Sequence, residues 1–192
     1  MIFLFLPANR YDQIKHEVLF MYEECEVVSY PIDCYEIARK LFYTLVPYSS
    51  LTDHQLRLAM EYSSDGFSVL RQMPDTGMYR WFIFYNDFNS NQRQRWTIFH
   101  EIGHIYLGHF ENDDLSYEEK EAEANFFAKY SIAPPPLVNI AKCESPWDVA
   151  IIFDVSGEAS MYLYSYYQKW MQYGPIEYEP FELQMIELFQ AA

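Results

Sequence analysis

The sequence predicts an α+β fold, with helices packed around a small sheet of about three strands. Three observations predict it. Short β-branched and aromatic runs bounded by turn residues lie at 42–48, 67–70 and 79–85. Longer segments before and after them carry apolar residues at helical spacing. Serine ahead of those later segments, and glycine or proline behind them, supply helix caps and stops. A chain of 192 residues and 23.0 kDa can hold one sizeable core, since a domain near this size buries roughly 70% of its unfolded surface.

The elements follow in order. Between about Asn9 and Glu26, the spacing of Ile14, Val18, Leu19 and Tyr22 predicts an amphipathic helix. Pro31 interrupts, and Ile32-Asp33-Cys34 leads into a second helix through Glu36, Ile37, Ala38, Lys40 and Leu41. Phe42 to Tyr48 reads as a strand, whereas Leu51 to Glu61 shows only weak helical periodicity. An Asp65-Gly66 turn precedes the strand Phe67–Leu70, and the Pro-Asp-Thr-Gly turn at 74–77 separates it from Tyr79–Tyr85, so the pair reads as a hairpin or meander. Ser90 is placed to cap a long helix through Leu107, closed by Gly108. Ser116 and Glu119 form a capping box for the next helix, which must stop by Ala133 because Pro134-Pro135-Pro136 cannot continue it. Ser145-Pro146-Trp147-Asp148 opens another helix, and after a turn at 154–157 Ser156 caps a last long one to Tyr173. The acidic, apolar tail beyond Gly174-Pro175 suggests a short docked helix.

Charge narrows the function classes. With 13 basic against 28 acidic residues, the net charge is -15. Binding nucleic acid requires neutralising phosphates, so that charge opposes it. An anionic membrane surface would be repelled, and a basic protein partner attracted. Cys25, Cys34 and Cys143 form no C-x-x-C pair and suggest neither a disulfide framework nor a thiolate metal site. The opening M-I-F-L-F-L-P lacks a basic lead-in and is too short for a signal peptide or a membrane span. A cytoplasmic protein is expected.

The chemistry centres on H-E-I-G-H at 100–104. Residues four apart share one helix face, so His100 and His104 can reach one cation, with Glu101 beside them as general base. The bland reading is a surface cluster of charge. Against it stand Trp96, Ile98, Phe99, Ile102, Ile105 and Tyr106, which predict a substantially buried helix. Burying such a set without a partner is costly, and a metal removes that cost. A catalytic zinc takes three protein ligands and keeps a fourth position open. His109 lies about 140° around the helix from His104 and past Gly108, and reads as a surface or capping histidine. Glu123 shares a face with Phe126, Phe127 and Tyr130 and is expected to point inward as third ligand. Glu119, one turn earlier, is its rival, while Glu118 and Glu121 are expected to face solvent.

The run R-Q-R-W-T-I-F-H-E-I-G-H-I-Y-L-G-H, followed by E-A-E-A-N-F-F-A-K-Y-S-I-A-P, resembles the ImmA/IrrE family of zinc metallo-endopeptidases. The resemblance extends to Y-P-I-D-C-Y-E-I-A-R-K-L at 30–41, W-F-I-F-Y-N at 81–86 and W-D-V-A-I-I-F-D-V-S-G-E-A-S at 147–160, so it covers residues 10–172. It implies a zincin-like core with a helix-turn-helix-like C-terminal part, one catalytic Zn2+ on His100, His104 and Glu123, and Glu101 as base. It also implies an edge strand at Tyr79–Tyr85 that could accept an extended peptide, and a helix-turn-helix repressor as protein substrate. The S-I-A-P-P-P exit of the second metal helix departs from the family's Leu-Leu-Met-Pro-like end. The expected division is a metallopeptidase domain over 1–136 and a helical subdomain with an acidic tail over 137–192.

Two other functions compete. Residues 147–170 have the outline of a helix-turn-helix, which suggests a DNA-binding regulator. Its second helix, from Gly157 to Trp170, carries Lys169 as its one basic residue and is rich in Tyr, Met and Trp, a composition suited to protein contact. A non-cutting, antitoxin-like or scaffolding protein of the same fold is the other alternative.

Overall fold

The computed structural model describes residues 6–174 and 176–190, so the opening apolar run at 1–5 lies outside the described residues. In chain order the elements are α1 (Ala8–Glu24), α2 (Cys34–Lys40), β1 (Thr44–Pro47), α3 (Asp53–Tyr62), β2 (Gly66–Gln72), β3 (Tyr79–Tyr85), α4 (Asn91–Tyr106), α5 (Tyr117–Ile132), α6 (Pro135–Ile140), α7 (Pro146–Phe153), α8 (Gly157–Tyr173) and α9 (Pro180–Gln190). The weakly periodic segment after Leu51 is helical because Thr52 and Gln55 form a capping box at its start. The proline run does end α5, but it also begins α6, since proline at a first helical turn gives up no hydrogen bond.

The chain divides into two compact units that interleave in sequence, one over 34–128 and one combining 6–33 with 129–190. Helix α1, expected in the metallopeptidase domain, thus belongs with the C-terminal helices.

The first unit is an α+β structure on a three-stranded sheet of order β1-β3-β2. Strand β3 is central, parallel to β1 and antiparallel to β2. The expected edge strand Tyr79–Tyr85 is therefore covered on both sides, and β2 is an edge. Side-chain alternation divides the sheet's faces. Phe67, Val69, Phe82 and Phe84 lie on one face and pack with Tyr48, Leu56 and Ala59. Gly66, Ser68 and Ile83 lie on the other, towards α4. Gly66 is the point of closest approach: a Cβ there would meet Phe84 O and Thr97 Cγ2 at 2.6 Å each.

The second unit is helical. Within it α1 and α6 pack on α9, and α8 packs on α6 and α7. Tyr22, fully buried, donates to Ser131 O at 2.6 Å within it. The turn between α7 and α8 forms as expected, with Asp154 in the left-handed region and Ser156 capping Ala159 N. All three cysteines are buried and none is in a disulfide among the described residues. Among the described residues no helix is long and apolar enough to cross a membrane.

Two outcomes follow for stability. Gly66→Ala should destabilise the protein by about 1–3 kcal/mol in denaturant unfolding, because the added methyl meets the Phe84 backbone oxygen as well as the Thr97 side chain. Lys129 lies over the Tyr166 ring at 3.8 Å, and burial, with Lys169 and Lys15 nearby, lowers its pKa from 10.5 to about 8. Between those values the unfolded chain binds more protons, so this group's contribution to stability rises with pH. The stability difference between Lys129→Met and wild type should therefore shift in favour of wild type from pH 8 to pH 10.

Candidate metal centre

Helix α4 carries the motif. Ser90 Oγ accepts from Arg93 N at the helix start, and beyond the helix of 16 residues the chain turns at Gly108. His100 Nε2 and His104 Nε2 face each other at 3.0 Å. Burial first, then the neighbouring His104, pushes the His100 pKa down to about 4. A neutral imidazole is the form that ligates a metal.

Glu121 of α5 completes the cluster. Its Oε1 lies 3.2 Å from His104 Nε2 and its Oε2 3.5 Å from His100 Nε2. Hydrogen bonding to His104 is the main cause that lowers its carboxyl pKa. The three groups offer ligand atoms within 4.8 Å of one another. Around a tetrahedral zinc with bonds of ~2.0–2.1 Å, neighbouring donors stand about 3.3 Å apart. The observed 3.0, 3.2 and 3.5 Å fit that cation.

The carboxylate that the structure brings to His100 and His104 is therefore Glu121, while the expected Glu123 lies elsewhere. Two helical residues are about 200° apart, so the two glutamates face opposite ways. Glu123 does point inward, 2% exposed, but it meets His109. Glu121 keeps 32% of its side chain exposed. Inward burial is the wrong criterion for this ligand, because a site open to a substrate lies where core meets cleft. Tyr117, Glu121 and Asn125, spaced by four, line that cleft together. Glu119 is spent on its capping box with Ser116.

Glu101 stands beside the pair, 8% exposed. Ser68 Oγ donates to its Oε2 at 2.7 Å. Burial raises the Glu101 pKa, and the Ser68 hydrogen bond opposes the rise. A carboxylate shifted upward is a stronger base. Ser68 escaped the sequence reading because only the strand register turns it towards α4; its single signal was a small polar residue inside an apolar strand.

His109 is buried, 2% exposed, rather than on the surface. The helix end explains this. Gly108, at φ +69°, donates to Ile105 O, and His109 N donates to His104 O at 3.0 Å. That Schellman turn folds residue 109 back against the helix end. His109 Nδ1 then lies 3.0 Å from His104 Nδ1. The H-x-x-x-G-H spacing was the available signal.

The cleft over these residues has a volume of about 550 Å³. Phe67, Trp96 and Phe110 give it apolar walls, and Tyr62 and Tyr117 are the tyrosines that line it. At its rim Arg93 clamps Asp65 through Nε at 2.9 Å and Nη2 at 2.5 Å.

The family model of the IrrE N-terminal-like domain, peptidase M78, matches residues 42–146. A comparison with curated proteins finds no match. The matched span covers more than half of the chain, including the H-E-I-G-H helix and Glu121. The chain belongs to the ImmA/IrrE metallopeptidase family, peptidase M78.

Proposed function

We propose that this protein is a zinc-dependent endopeptidase that cuts a helix-turn-helix repressor. The observation that supports it is the convergence of His100, His104 and Glu121 at the floor of a cleft, beside a buried carboxylate outside the ligand set. Zinc held there would polarise a scissile carbonyl and make a water acidic. Glu101 is the base. Ser68 holds its Oε2, leaving Oε1 to take the proton of the attacking water and return it to the leaving amine. Trp96 and Phe110 offer apolar surface beside the reacting atoms. The edge strand β2 lines the cleft and offers its free side to an extended peptide. A net charge of -15 attracts a basic substrate, and DNA-binding repressors are commonly basic.

Coexpression with a candidate repressor tests the activity. Glu101→Gln should retain zinc and lose cleavage by about 10²–10⁴-fold; a variant that cuts as fast as wild type would remove Glu101 from the role. Glu121→Ala should purify with little zinc, read by metal analysis, and show no cleavage. Zinc content equal to that of wild type would show that Glu121 is no ligand.

A further inference from the structure

Beyond Ser68, the side of the β2–β3 hairpin that faces the metal centre is apolar. Met73 N donates to Met78 O and Asn86 N to Asp65 O. By the alternation of an antiparallel ladder, Phe67, Val69 and Arg71 therefore commit their backbone groups to β3. Ser68, Leu70 and Gln72 turn theirs to the open side of β2. The same alternation puts the Leu70 side chain on the face of Ser68, one pleat repeat beyond the serine that holds Glu101.

Leu70 stands opposite Trp81 in the register, close enough for the two side chains to pack. The Trp81 ring lies 4.6 Å from the Phe110 ring, centre to centre, and the Phe110 ring lies 6.3 Å from that of His104. These three residues form a wall that starts beside an imidazole of the metal centre and runs along the strand. Phe110 is 48% exposed and Leu70 45%, so the wall is open to an incoming chain and not sealed in the core. The register also keeps the hairpin's arginines off it. Arg71 and Arg80 oppose one another on the sheet's other face, where Arg71 lies over the Phe82 and Phe84 rings.

We propose that Leu70, Trp81 and Phe110 are a specificity subsite for a large apolar side chain near the scissile bond. An extended residue advances about 3.3 Å, so the distance from His104 to Phe110 places that side chain one or two residues from the bond. The role rests on the zinc peptidase reading above and deepens it by naming what the cleft selects. A peptide strand hydrogen-bonds to Leu70, and its apolar side chain covers the wall and releases water from both. Net charge draws a basic protein to the molecule, and the wall decides where in that protein the cut falls.

Hydroxamates test it, because they seat on zinc without being cut. In one series, acetylated amino-acid hydroxamates, the side chain precedes the zinc-binding group; in the other, substituted succinyl hydroxamates, it follows. Calorimetric titration of the zinc-loaded protein should show, in one series, leucine and phenylalanine side chains binding about tenfold tighter than none. Phe110→Ser and Leu70→Ser change half-exposed positions, so each should keep wild-type zinc content and lose most of that preference. Equal affinity with and without the side chain in both series overturns the proposal, as does a preference that both substitutions leave intact. Digestion of a proteome-derived peptide library is the second readout. Cuts should share Leu, Ile, Met or Phe within two residues on one side of the bond, and random flanks overturn the proposal. No zinc uptake and no hydroxamate binding would sink the metal reading and the proposal with it. Zinc uptake with hydroxamate binding blind to the side chain would sink the proposal alone.

Discussion

A carboxylate on one helix can join two imidazoles on another only if the two backbones run close together, and Gly103 is where they do. It sits between the two histidines on α4, and a Cβ there would stand 3.0–3.2 Å from the fully buried Phe127 side chain. The absent side chain lets α5 settle against α4 with Glu121 at the height of His100 and His104. Glycine in mid-helix is less favourable than alanine by roughly 1 kcal/mol. The motif's fourth position thus trades helix propensity for interhelical distance, and the ligand set depends on that distance.

How much of this was legible in the sequence follows from the range of each interaction. His100, Glu101 and His104 relate to one another through a single helix, whose period is known beforehand. The third ligand depends on how α5 is rotated about its own axis, and a two-residue difference between Glu121 and Glu123 decides between opposite faces. An apolar stripe shows which side of a helix is buried, but a metal at a cleft lies off the centre of that side. Ser68 and the central place of β3 are likewise non-local. They follow from strand order and register, which the hairpin signal at 74–77 specifies for one neighbour only. The proline run shows the same limit at short range, since a residue that ends one helix is equally suited to begin another.

Two glutamates two residues apart on α5 end in opposite environments. Glu121 is partly wet and shares its charge with both imidazoles, while Glu123 is dry and spends its charge on His109. Glu101, on the neighbouring helix, is a third case: buried, raised in pKa and restrained by one serine. Environment, more than residue type, separates the three carboxylates.

The turn at Gly108 also shapes how freely the family could vary this region. His109 is pinned to the helix end by its own backbone N–H, so its position is settled before residues 110–116 begin. Doubling the length of a flexible loop adds only about 0.6 kcal/mol of closure entropy. Insertions between His109 and α5 could therefore reshape the mouth of the cleft, and with it the sequence it accepts, while the nitrogen atoms beneath keep their places.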